Sequence, residues 1–219
     1  MIARNLGNDY VSTIHEEIAN TISHGVMMVI ALFAVPFAAI WSYAQYNTLT
    51  AVSVSIYAIA LFLMFTVSTL YHSMTANTKH KEVFHLLDHI FIFVTIAACY
   101  TPPALNLIGG WQGIAIVCIQ WSIVLFGILY KSLVKNQNQK VSLITYIAMG
   151  WMIVIFGPKI YQNASTTFLI WLIAGGLLYT IGAIIYGKKG FKYHHLVWHL
   201  FINLAAICHF ISFVFYLHD

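Results

Sequence analysis

Apolar and polar positions divide this chain into seven long apolar runs, near residues 21–44, 50–72, 84–105, 111–130, 141–157, 166–186 and 194–217. Short polar stretches part them. Each run is 17–24 residues long, and about 20 residues in helical form cross the ~30 Å hydrocarbon core of a bilayer. None alternates strictly between apolar and polar positions, as a barrel strand would, so the pattern predicts membrane helices. The expected architecture is an all-α integral membrane protein of seven transmembrane helices. It forms a single domain over 1–219, with a short N-terminal segment, 1–20.

Composition strengthens that reading. The chain is 61% hydrophobic and 7% charged, with a mean hydropathy of +0.83, whereas a soluble domain carries about 25% charged residues. The basic residues fall almost entirely on one side. With seven spans, Arg4, Lys79, Lys81, Lys131, Lys135, Lys140, Lys188, Lys189 and Lys192 share a side, and Lys159 alone lies on the other. Nine against one is a strong positive-inside bias, which places the N-terminus in the cytoplasm and the C-terminus outside. The net charge of +4 then expresses topology and contact with anionic lipid headgroups rather than nucleic-acid binding. No protein partner is indicated. Asp9, Glu16 and Glu17 precede a first run too long for a signal peptide. Cys99, Cys118 and Cys208 are odd in number and lie within spans, so no disulfide framework is expected.

Against this background, ionisable residues inside the spans stand out, because each is costly in a bilayer and marks a functional site by default. They concentrate in Ser68-Thr-Leu-Tyr-His72, His85-Leu-Leu-Asp88-His89 and His194-His195-Leu-Val-Trp-His199. The topology brings all three stretches to the cytoplasmic side. His72 ends helix 2, with Ser68 one turn deeper on the same face. Asp88 lies about 8 Å into helix 3, and His195 and His199 open helix 7. An i, i+4 histidine pair projects from one helical face, and three histidines with an open fourth position form a catalytic zinc arrangement. His85 or His89 could replace a ligand, and the tandem His194-His195 leaves the register open, with i, i+4 spacing favouring His195. His209, about 15 Å beyond His199 along the helix, is expected to be a structural hydrogen-bonder. Glu17, Asn20 and His24 share a face of helix 1, with Ser23 beside them. They serve either helix capping and inter-helix bonding or contact with the metal's surroundings or a substrate headgroup. Gly25, Gly127, Gly150, Gly175, Gly176 and Gly182 are expected at close helix contacts, and Thr101-Pro102-Pro103 is expected to end helix 3.

These residues also carry a resemblance. Glu16-Glu-Ile-Ala-Asn20 with Ser23-His24-Gly25, Ser68 through His72-Ser73, Asp88-His89 leading to Tyr100-Thr-Pro102, and Trp198-His199 through His209-Phe210 resemble the bacterial hemolysin III proteins. Those form the prokaryotic branch of the progestin and adiponectin receptor family, itself similar to alkaline ceramidases. The resemblance covers nearly the whole chain. It implies seven helices with a cytoplasmic N-terminus, in the bacterial cytoplasmic (inner) membrane. It also implies zinc held by His72, His195 and His199, with Asp88 orienting a water at the metal or acting as general base. Ser68 would hydrogen-bond nearby and help hold an oxyanion. Adiponectin receptors carry a sizeable cytosolic region before helix 1 and this chain about 20 residues, so adaptor binding and hormone signalling are not expected to transfer.

The function expected is a zinc-dependent intramembrane hydrolase of a lipid amide or ester, working in the cytoplasmic leaflet. The alternative is a non-catalytic zinc-containing sensor that adjusts membrane lipid composition or energetics. A secreted pore-former, which the family name suggests, fits poorly with spans this apolar and loops this basic.

Overall fold

The structure, a computed structural model, describes residues 13–134, 138–188 and 191–218; Asp9 and the basic residues Arg4, Lys135 and Lys189 fall outside them. Seven helices are long and apolar enough to cross a membrane: α1 (Ile14–Gln45), α2 (Thr48–Ser73), α3 (Lys79–Ile108), α4 (Gly110–Leu133), α5 (Lys140–Asn163), α6 (Thr166–Lys188) and α7 (His194–Phe215). No strand occurs among the described residues. Short connections make successive helices antiparallel. The starts of α1, α3, α5 and α7 therefore meet the ends of α2, α4 and α6 at one end of the bundle, called here the basic end.

Local chemistry sets the helix ends. Thr13 and Glu16 close a capping box that starts α1, seven residues before the apolar run begins, so residues 14–20 of the expected N-terminal segment are helical. Capping therefore falls to Glu16 rather than to Glu17, Asn20 or His24. Asn47 and Thr78 cap α2 and α3 by accepting from the backbone N–H groups of Thr50 and Lys81 at 2.9 and 3.2 Å. Between α3 and α4 the chain turns at Gly109 and Gly110, whose φ angles of +63° and +55° only glycine adopts at little cost.

Two departures from the expected spans have a common cause. The α-helix of α3 ends at Pro103, as expected, but the span runs on to Ile108. The α-helical hydrogen bonding gives way to a π-helical turn over Ala104–Ile108, which Gly109 closes by donating to the Ala104 carbonyl at 2.9 Å. Prolines lack the N–H that would continue the α pattern, and Asn106 Nδ2 donates to the Pro102 carbonyl at 2.8 Å. In α5 a 3₁₀ stretch, Met152–Phe156, interrupts the helix, which then runs on past Pro158 to Asn163. The Tyr100 hydroxyl serves that break, accepting from the Ile153 N–H at 2.8 Å and donating to the Gly150 carbonyl at 2.7 Å.

Packing places α2 and α7 at the centre: 56% and 61% of their most apolar stretches are buried, against 11% for α5. The two central helices are those that carry His72 and the His195–His199 pair. Gly127, Gly175 and Gly182 sit against Phe93, His209 and the Trp198–Phe201 ridge, so close approach explains them. Gly150 and Gly176 face open space instead and mark no tight contact. Both line a small cavity of about 60 Å³ beside Cys99 and His209. The outward faces of the helices are apolar, as with Ile18, Ile22, Val29, Phe33 and Ile40 along α1, which suits a lipid solvent. The three cysteines are free.

Candidate metal centre

At the basic end, α2 and α7 bring three imidazoles into a triangle. Ring centroids are 5.0 Å apart for His72–His195, 5.0 Å for His72–His199 and 4.6 Å for His195–His199. One nitrogen from each ring lies within 4.8 Å of the other two, a group able to hold a metal ion. His72 and His199 are 4% and 2% exposed, so the triangle is enclosed by protein.

Hydrogen bonds from α1 orient two of the three rings. His72 Nδ1 lies 3.2 Å from Glu17 Oε2. A carboxylate only accepts, so Nδ1 carries the proton and Nε2 presents its lone pair. The Ser23 hydroxyl donates to the Asn20 carbonyl at 2.8 Å. Its 3.0 Å contact with His199 Nδ1 is therefore received from Nδ1–H, which leaves Nε2 of His199 as the acceptor nitrogen. The Nε2 atoms of His72 and His195 are buried and without a hydrogen-bond partner. A buried imidazole nitrogen lacking a partner is costly in a bilayer, and the lone pair of a neutral imidazole is a metal ligand. The donor set thus fits a cation that accepts three nitrogen ligands.

Around the triangle, Asp88 of α3 is half-buried. It faces Ser68 and lies within electrostatic reach of His72. The Ser68 hydroxyl is buried and lacks a partner of good hydrogen-bond geometry. Asp88 does not join the ligand-capable group. His24 of α1 stacks flat on His199, with centroids 3.6 Å apart and planes 6° apart, and both its ring nitrogens are buried without a partner. Asn20, one turn away, is 1% exposed. The polar face of α1 thus packs directly on these rings.

The histidines left as alternatives lie elsewhere. His89 donates through Nδ1 to the His85 carbonyl at 2.9 Å, and its own carbonyl accepts from Tyr146. His85 packs against the ring of Tyr71, 5.2 Å away. His194 turns back toward the Phe191 carbonyl, at 3.2 Å from Nδ1. None of the three belongs to the triangle. His209 bridges Cys99 and the Leu172 carbonyl, at 3.0 and 3.1 Å, and His218 bonds Thr50 at the opposite end of the bundle.

Three contributors had no individual role in the sequence reading. Ser23 entered it only as part of a polar stripe. Glu16 accepts the Tyr193 N–H at 2.7 Å and so pins the start of α7, where Tyr193 takes a left-handed φ of +62°. Lys81 of α3 donates to Glu17 Oε2 at 2.7 Å and to the Met74 carbonyl at 3.2 Å. The tandem Glu16-Glu17 before an apolar run was the available signal: two adjacent carboxylates at a helix start, pointing in different directions, need two sets of partners.

Comparison with known proteins gives a consistent result. A family described as haemolysin-III related matches residues 12–210. The hemolysin-3 homolog of Bacillus subtilis is 34% identical over 93% of this chain and 95% of its own length. Hemolysin-3 of Bacillus cereus is 32% identical over 93% of this chain and 92% of its own. The human monocyte to macrophage differentiation factor is 30% identical over 95% of this chain and 87% of its own.

Proposed function

The chain belongs to the haemolysin-III related family, a multi-pass membrane protein of the bacterial cytoplasmic-membrane type. From that premise we propose that it is a zinc-dependent intramembrane hydrolase acting on a lipid amide or ester. One observation carries this reading: two buried imidazoles and a half-buried one converge, two with their tautomers set so that Nε2 faces inward, next to a carboxylate that is not itself in the ligand group. Three neutral histidines are a donor set that suits zinc, and His72, His195 and His199 would hold it. Bound there, zinc supplies Lewis acidity, activating a water and polarising a carbonyl.

The protein's own groups account for the rest. His72, His195 and His199 hold the ion. Asp88 accepts the proton of the attacking water, a role that contributes about 10²–10⁴ in rate, and later returns it to the leaving amine or alkoxide. The Ser68 hydroxyl, buried beside Asp88, donates to the carbonyl oxygen as negative charge develops there. The positive-inside bias sets the basic end in the cytoplasm. Lipid whose scissile bond lies just below the inner-leaflet headgroups is then at the right depth, and the basic loops attract anionic headgroups.

The depth of burial of His72 and His199 is equally what a structural metal clamp would show. A zinc-containing regulator of lipid composition or membrane energetics is therefore the second reading. Purified protein separates the two. Wild type is expected to carry one zinc per chain, and His72→Ala, His195→Ala and His199→Ala each to lose it, because three ligands leave no redundancy. Asp88→Asn is expected to keep its zinc and lose turnover of labelled lipid amides and esters. Turnover surviving in Asp88→Asn excludes Asp88 as the base. Zinc without turnover of any lipid supports the regulator.

A further inference from the structure

Glu17 does more than meet the His72 ring: one of its oxygens is shared between two helices. Its Oε2 is shared by His72 Nδ1 at 3.2 Å and Lys81 Nζ at 2.7 Å. Lys81 in turn donates to the Met74 carbonyl at 3.2 Å and stands 5.1 Å from the centroid of the Tyr71 ring. One carboxylate oxygen thus joins the start of α1, the end of α2 and the first turn of α3. On the His72 ring, Nδ1 is bonded to Glu17 while Nε2 is buried without a hydrogen-bond partner.

We propose that Glu17 is the positioning residue for His72, fixing its ring as the Nδ1–H tautomer so that Nε2 is held toward His195 and His199. The inference rests on the zinc reading for its purpose but not for its geometry. A neutral histidine free of constraint favours the Nε2–H form, in which the nitrogen facing the other two imidazoles would carry a proton and could not ligate. Accepting from Nδ1–H reverses that preference. It also removes the freedom of the ring to flip about its outer torsion, which would put ring carbons where the two nitrogens now stand. A carboxylate on the distal nitrogen of a metal-bound histidine does this in many metal sites, and removing it costs about 10–100-fold in metal affinity or activity. Lys81 acts on the carboxylate rather than on the ring, holding the shared oxygen in place from the α3 side and supplying the balancing charge.

The test uses the full-length protein in detergent, stripped of metal and then titrated with Zn²⁺ against a competing chelator, and in parallel with Co²⁺, whose visible bands report ligand geometry. Glu17→Ala is expected to weaken zinc binding about 10–100-fold and to shift the cobalt bands. Glu17→Gln, whose amide oxygen still accepts from Nδ1–H, is expected to recover most of that loss. A merely structural role would not distinguish Gln from Ala in the cobalt spectrum. Wild-type affinity and an unchanged spectrum in Glu17→Ala overturn the proposal. A second arm needs neither metal nor a Glu17 variant: nitrogen-15 NMR of histidine-labelled, metal-free wild type, with the His72 signal assigned by its absence in His72→Asn. An Nδ1–H tautomer is expected there. An Nε2–H tautomer overturns the proposal even if Glu17→Ala does not fold. Should wild type take up neither zinc nor cobalt, the zinc reading fails, and the tautomer alone decides whether Glu17 orients His72.

Discussion

Replacing His209 by Ala separates a structural histidine from the metal centre in the same helix. His209 is 6% exposed and uses both ring nitrogens inside the protein, on Cys99 at 3.0 Å and the Leu172 carbonyl at 3.1 Å. Because the carbonyl can only accept, Nε2 donates to it and Nδ1 accepts the Cys99 thiol. Hydrogen bonds between membrane helices average about 0.6 kcal/mol, so losing two costs about 1 kcal/mol. The larger part is packing. The ring sits against Phe213 and Tyr179, with centroids 5.5 Å from each, and lies directly over Gly175. Removing it enlarges the existing cavity of about 60 Å³. Aromatic-to-alanine changes in cores cost about 3–5 kcal/mol, and an imidazole, being smaller, about 2–3. The sum of about 3–4 kcal/mol corresponds to a fall in melting temperature of roughly 6–15 °C for a chain of this size. Metal binding at the triangle is expected to be unchanged, because ten residues of helix set His209 about 15 Å from His199 and distant sites add independently. Melting of the detergent-purified variant, paired with its zinc content, checks both statements. A melting temperature within about 2 °C of wild type, well below the shift expected, or loss of zinc in a folded protein refutes this reasoning.

Two further expectations bear on how the bundle is assembled. A Cβ added at Gly182 would lie 2.8 Å from both Phe201 Cβ and the Trp198 ring. Phe201 Cβ is fixed to its backbone and cannot swing aside, so Gly182→Ala is expected to cost about 1–3 kcal/mol and, by pushing α7 away at the residue beside His199, to weaken zinc binding as well. Chelator competition and thermal melting report the two effects, and a neutral Gly182→Ala would show that α6 and α7 are not locked there. Reporter fusions after Lys135 and after His218 are expected to report cytoplasm and exterior respectively; the same side for both refutes seven spans.

The seven helices were legible in the sequence because a bilayer demands about 20 apolar residues per crossing whatever the tertiary contacts. Their ends were less so. α1 begins at Ile14 because Thr13 and Glu16 cap it, and a capping box lies outside any hydropathy pattern. The span continues past Pro103 as a π-turn, with the Asn106 side chain on the Pro102 carbonyl, an arrangement that local propensity does not foresee. The triangle was legible in part: i, i+4 spacing selects His195 over His194, and the register in α7 follows it. Helix spacing alone could not separate His72 from His85 or His89 as a member. That depends on how far α2 and α3 are rotated about their own axes, which side-chain packing decides. The partners of Glu16, Glu17 and Ser23 were out of reach for the same reason, since each crosses from α1 to a helix 55 or more residues away.

Polar groups in this bundle differ in how completely they are satisfied, and bare ones also occur away from the triangle, at Thr95, Gln120 and Tyr179. At the end opposite the triangle, Thr50 bonds Asn47, Asn106 and His218, and Asn106 bonds Ser53 and the Pro102 carbonyl. His209 likewise uses both nitrogens. Such closed networks hold helices together and ask for nothing more. Near the triangle the pattern inverts. The side chains of Asn20 and His24, and Nε2 of His72 and of His195, are all buried without partners, gathered where α1, α2 and α7 meet. Each such group costs on the order of 1–3 kcal/mol, and in hydrocarbon no water relieves it. A fold that directs hydrogen bonds from Glu17 and Ser23 to the outer nitrogens of His72 and His199, yet leaves inward nitrogens bare, is arranged around something those nitrogens bind.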